Sequence, residues 1–164
     1  MKTYRNNGAI GALLDEYEKA ISELQEVIKD ISFVELTTVV DPHTEDLSCR
    51  SIQSILSHVV RAGYTYPIEI KKSLGEEIEY NDSQLFDTIE KYHYQLNIMF
   101  EYNERLFLDY PNIEMEEHDN DKKFLVRWGQ HYDVEQLFEH AIVHVLRHRR
   151  QIERFLIKLR HPQH

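Results

Sequence analysis

The chain has 164 residues, 41% hydrophobic and 29% charged, with 5 Gly and 4 Pro, which suits one globular domain and excludes a collagen-like, disordered or many-turned all-β chain. Nineteen Lys and Arg stand against 29 Asp and Glu, and the net charge of −10 argues against a non-specific hold on nucleic acid. Cys49 is the one cysteine, so an internal disulfide and a Cys-rich zinc site are both excluded, and with no apolar run near the roughly 18 residues of a membrane span and no apolar stretch in Met1–Arg5, a cytoplasmic location is expected.

Apolar residues recur at Ile10, Leu14, Tyr17, Ile21, Leu24, Ile28 and Ile31, in steps of four and three that lay one stripe along a first helix. Phe33 to Leu47 carries Pro42 and several acids without a sustained period and reads as a long irregular connection. Ser48 is then placed to cap a second helix with its stripe at Ile52, Leu56, Val59, Gly63, Tyr66 and Ile70, ending near Gly75. Pro67 lacks a backbone donor and is expected to kink or interrupt that helix. Asn81, Asp82 and Ser83 are cap candidates for a third helix marked by Leu85, Ile89, Tyr92, Leu96, Met99, Asn103 and Leu106, which leaves a connection of about eight residues before it. Ile113–Glu117 and Phe124–Trp128 alternate apolar with polar residues around His118–Asp121 and predict a small β-hairpin. Asp133 with Gln136 forms a capping-box pattern before a fourth helix, whose seam runs Val134, Phe138, Ala141, Val145, His148, Ile152, Phe155 and Leu159. Four such amphipathic helices predict an all-α fold, a four-helix bundle with long connections, as a single domain over 1–164 with flexible tails at 1–8 and 161–164.

The ten histidines are the unusual feature of the composition. His140, His144 and His148 form an i, i+4, i+8 ladder on the fourth helix. Neighbours four apart can share an ion, but the outer two are about 12 Å apart along the axis and cannot meet at one metal bound at about 2.0–2.1 Å. With Ile152 at the seam centre, a turn of about 100° per residue puts His148 about 40° away, His144 about 80° and His140 about 120°. His144 and His148 therefore face inward, and His140 does not. A third ligand must come from another helix, where His58 and His93 are the candidates, and spacing does not decide between them.

Ser54-Ile55-Leu56-Ser57-His58-Val59-Val60-Arg61-Ala62 in the second helix, together with His144, His148, Arg149, Gln151 and Ile152 in the last, resembles the DinB/YfiT-like family of metal-binding four-helix bundles over nearly the whole chain. The resemblance implies a metal held by His58, His144 and His148, the last two within the family's HxxxHRxQ pattern. Arg150 stands where the family commonly has Gly, a departure that bears on how closely the last helix packs at that turn. The resemblance also implies an up-down-down-up helix course, whereas a connection of about eight residues favours antiparallel neighbours.

Three imidazoles with no carboxylate or thiolate leave coordination positions open, as in a catalytic site. Such a metal can lower the pKa of bound water or activate a thiolate. The resemblance implies the same pair of chemistries, since the superfamily includes transferases that use low-molecular-weight thiols. The function expected is a metal-dependent thiol transferase or hydrolase, with zinc or nickel and a low-molecular-weight thiol as cofactors. The alternative is a non-catalytic bundle that binds metal or a partner. The partners expected are a small-molecule substrate and, at most, a second copy of the chain, with neither nucleic acid nor membrane. Glu139, Tyr64 and Tyr66 are polar groups within a few turns of the ligands, but Glu139 reads first as a solvated charge and the tyrosines as core residues with a wet hydroxyl, and no catalytic residue is assigned. Arg147, Arg149 and Arg150 form a basic run that either receives an anion or pairs with acids of a neighbouring helix. Cys49 reads as a small buried apolar residue, and Trp128-Gly129 as an anchor for the connection into the last helix.

Overall fold

The computed structural model describes residues 4–161. It is mainly helical: α1 (Gly8–Ile28), a short α2 (Phe33–Thr37), α3 (Ile52–Ser73), α4 (Ile89–Asp109) and α5 (Val134–Arg160), with one two-stranded antiparallel sheet, β1 (Phe124–Leu125) and β2 (His131–Tyr132). The predicted stripes are the buried ones. Leu14, Tyr17, Ile21, Leu24 and Ile28 of α1 meet Ile52, Leu56, Val59 and Ile70 of α3, Tyr92, Leu96, Met99 and Leu106 of α4, and Phe138, Val145, Ile152 and Phe155 of α5 in one core. No helix among the described residues is long and apolar enough to cross a membrane.

Side-chain pairs set the helix directions. Gln25 meets Asn97 while Arg5, just before α1, meets Glu104, so α1 and α4 run antiparallel. Ser57 meets Tyr92, and Gly63 meets Asn103, so α3 and α4 run parallel. Tyr66 lies against His140, and His58 against His148, so α3 and α5 are antiparallel. Tyr17 against Phe138, with Glu23 on Arg149, makes α1 and α5 parallel. The course is up, down, down, up. A parallel step from α3 to α4 needs a connection that returns along the 22 residues of α3, about 33 Å at 1.5 Å per residue. Eight residues reach only about 26 Å, whereas residues 74–88 reach about 50 Å fully extended. The expected short connection is therefore corrected: Thr88, not Asn81, Asp82 or Ser83, caps α4, and Leu85 is an exposed loop residue. Gln53 Nε2 donates to the Phe86 carbonyl at 3.0 Å and pins the returning loop beside the start of α3.

Other expectations shift in position. Ser32 and Glu35 form a capping box that nucleates α2 inside the segment expected to be irregular. Ser51, paired with Ser54, caps α3 in place of Ser48. The hairpin lies later than predicted, pairing Phe124 with Tyr132 and Leu125 with His131. Its turn is closed by Val126 N–H donating to Gln130 O at 2.9 Å, with Gly129 at φ +86°, a conformation that favours glycine. Residues 1–3 and 162–164 of the expected tails lie outside the described residues, while Arg5 pairs with Asp15, Glu18 and Glu104.

Pro67 does not interrupt α3, which continues to Ser73. Without an N–H, Pro67 leaves the Gly63 carbonyl unpartnered within the helix. Asn103 of α4, itself fully buried, supplies the missing donor through Nδ2 at 3.0 Å. Gly63 has no Cβ to obstruct this approach, and one built there would lie 2.2 Å from Met99 Sδ.

Candidate metal centre

His58 projects from α3, and His144 and His148 project from the antiparallel α5, where the two helices face each other. One ring nitrogen from each of the three lies within 4.8 Å of the others, and His58 Nε2 stands 2.9 Å from His144 Nε2. Ligands on a tetrahedral ion bound at about 2.0–2.1 Å would be about 3.3 Å apart, so the cluster needs only side-chain adjustment to surround one. His148 is fully buried. Its Nδ1 lies 3.0 Å from Gln151 Oε1, and because that oxygen can only accept, the proton sits on Nδ1 and the Nε2 lone pair is left over. Nε2 is buried with no hydrogen-bond partner, as is His58 Nδ1. An unpaired buried polar atom costs about 1–3 kcal/mol, and a cation at the cluster would satisfy the Nε2 lone pair. The residues present fit a divalent metal.

The environment keeps these rings neutral. Burial, then the neighbouring His148 and His58, pushes His144 down to about 2. Burial and His58 push His148 down to about 4, and burial with Arg61 lowers His58. Neutral imidazole is the form that binds a metal.

The cluster opens into a cavity of about 450 Å³ whose walls include Tyr66, Trp128, His140 and Asp46. His140 corrects the angular reading: although it is not one of the three clustered rings, it faces this cavity, stacked at 5.8 Å on Trp128 and held by the Tyr132 hydroxyl at 3.0 Å from Nδ1. The hairpin, invisible to helix periodicity, supplies that wall. It is fastened by the buried Glu69, whose Oε1 accepts from the Arg127 N–H at 3.1 Å and from the Tyr80 hydroxyl at 3.0 Å. Trp128 is therefore a lining residue and not only an anchor.

Of the other candidates, His93 lies on α4 away from the cluster, its carbonyl accepting from Gln25. Tyr66 lies 6.0 Å from His144, ring to ring, whereas Tyr64 packs at a tilt against Tyr102 and Glu139 is exposed outside the cavity. Cys49 is half-buried rather than buried, its thiol within 3.4 Å of Asp46 Oδ2 and 3.7 Å of Gln151 Oε1. Asp46 was missed. The Asp46-x-Ser48 spacing marks a local turn, and Asp46 Oδ1 does accept from Ser48 N–H at 2.9 Å, but only the fold brings that turn to α3. Burial pushes the Asp46 carboxyl up, yet hydrogen bonds from Ser48 outweigh it and hold the group below its ordinary value. The chain matches no known family model and no curated protein sequence.

Proposed function

We propose that this chain is a cytoplasmic four-helix bundle of the DinB/YfiT-like kind that holds a divalent metal, zinc or nickel, on His58, His144 and His148 and acts as a metal-dependent thiol transferase or hydrolase. The observation that carries the reading is the convergence of three neutral imidazoles, two of them, His58 and His144, lining a cavity and the third, His148, behind them with a buried and unpartnered Nε2. A closed structural site has four protein ligands, and three leave a position for substrate. The metal, when bound, supplies Lewis acidity to a thiol, water or carbonyl at that position.

The chain's own residues do the rest. Gln151 holds the His148 proton on Nδ1 and keeps Nε2 turned to the cluster. Tyr66 and Trp128 shield the site from bulk water. Among the described residues Asp46 is the one carboxylate on the cavity wall, and it is the group able to accept a proton from a nucleophile.

Elemental analysis of untagged protein, with His58→Ala, His144→Ala and His148→Ala beside the parent, tests the centre. Each substitution should remove most of the bound metal, and full occupancy in any of them refutes the ligand set. A panel of thiol acceptors and hydrolysable esters and amides on the metal-loaded form then separates transferase from hydrolase. Metal without any turnover would leave a binding protein.

A further inference from the structure

The charge of the cavity is opposite to that of the chain. Against a net charge of −10, its wall carries Arg61, Arg127 and Arg147 with, among the described residues, only Asp46 to balance them. Four arginines elsewhere are paired, Arg5 with Asp15, Glu18 and Glu104, Arg105 with Asp109, Arg149 with Glu23 and Glu153, and Arg160 with Glu35, whereas Arg50, Arg150 and Arg154 are not ion-paired among the described residues and do not line the cavity. The basic run read from the sequence thus divides, with Arg149 committed to acids and Arg147 turned to the cavity. Among the described residues neither Arg61 nor Arg147 has a carboxylate within ion-pairing distance. Arg127 rests over the Tyr80 ring at 4.1 Å.

Position reinforces charge. Arg61 follows His58 by three residues on α3, and Arg147 follows His144 by three on α5, so each lies one turn along the face that carries a clustered histidine. Unpaired guanidiniums held in an acidic protein beside a concave site are the arrangement that recognises carboxylate or phosphate oxygens, by bidentate hydrogen bonds that a lysine could not reproduce. The volume, about 450 Å³, is that of a small-molecule site.

We infer that this cavity takes a small dianion, a dicarboxylate or a phosphate monoester, with its anionic oxygens between Arg61 and Arg147. This names the substrate class for the metal centre proposed above, and rests on that proposal for the anion's being a substrate, although anion binding itself does not require the metal. Trp128 lines the cavity, and as the single tryptophan of the chain its fluorescence reports occupancy.

The test titrates metal-free and zinc-loaded full-length protein with succinate, inorganic phosphate and the uncharged succinamide, following Trp128 emission, with calorimetry as a second measure. Saturable binding of succinate or phosphate to the metal-free chain, none of succinamide, and a loss of affinity of about tenfold in Arg61→Gln and in Arg147→Gln are expected. Arg150→Gln, on the exposed face outside the cavity, should bind as the parent does. Preference between the two anions separates a carboxylate site from a phosphate site. The inference is overturned if neither anion gives a saturable response, if succinamide binds as well as succinate, or if both arginine variants, shown folded by circular dichroism, bind unchanged. Binding that appears only with zinc and disappears in His144→Ala also overturns it, by placing the anion on the metal alone. Zinc retained in all three histidine variants, with anion affinity still following the arginines, would instead sink the metal centre and leave the anion site standing.

Discussion

Gln151 offers the sharpest test of how the cluster is held. In the parent, His148 Nδ1–H donates to Gln151 Oε1 at 3.0 Å, from a ring that is itself fully buried to a half-buried amide. Gln151→Leu removes the acceptor at similar volume. Without a metal the His148 ring escapes the penalty by moving its proton to Nε2 and donating towards the neighbouring imidazoles, 4.4 Å and 5.0 Å away between ring centres. With a metal it cannot, because Nε2 is needed as the ligand and Nδ1–H is left buried and unpaired. The cost of about 1–3 kcal/mol for an unpaired buried donor therefore falls on metal affinity, as a loss of about 5- to 150-fold. Competition with a chromophoric zinc chelator measures it, and urea unfolding of the metal-free proteins measures the remainder. Gln151→Glu, which keeps the acceptor, should retain zinc. A Gln151→Leu affinity within twofold of the parent would refute the tautomer argument, and a loss as complete as that of His148→Ala would show that Gln151 does more than orient the ring.

His140→Ala should keep the parent's zinc content, measured by elemental analysis, because His140 is bonded to Tyr132 and stacked on Trp128 outside the group of three. Asn103→Ala should cost about 1–3 kcal/mol in urea unfolding by orphaning the Gly63 carbonyl. In the Pro67→Ala background, where a backbone N–H is restored, the same change should cost about 1 kcal/mol less, and additivity in this double-mutant cycle would disprove the link. Glu35 is pulled down to about 2 by Arg160 and by Ser32, so its folded pKa is below its unfolded one. Its contribution is complete above about pH 4.5 and is lost as pH falls from there towards 2. The stability gap between the parent and Glu35→Gln should therefore narrow across that range in pH-dependent unfolding.

The chain by itself determined what depends on local periodicity and local hydrogen bonds. Stripes at spacings of three and four identified the buried faces of α1, α3, α4 and α5, since a helix projects those residues to one side wherever it packs. Asp133 with Gln136 marked the start of α5, where the capping box forms as read. The i, i+4 spacing of His144 and His148 likewise set both on one face before any partner was known. Tertiary structure alone decided what depends on which elements meet. Helical spacing did not decide between His58 and His93, and although the resemblance pointed to His58, it is the antiparallel contact of α3 with α5 that brings His58 to the pair. His140 sits at a large angle from the seam, yet the hairpin folds over that side of α5 and converts an outward position into a cavity wall. Asp46 entered through a loop with no period to read. Pro67 behaved as a helix breaker in isolation because its missing donor is a local fact, whereas the Asn103 amide that replaces the donor arrives from another helix. The separation between the arginines that pair with acids and those left facing the cavity was equally invisible. A residue's charge is written in its side chain, but its neutralisation belongs to whatever the fold places within a few ångströms of it.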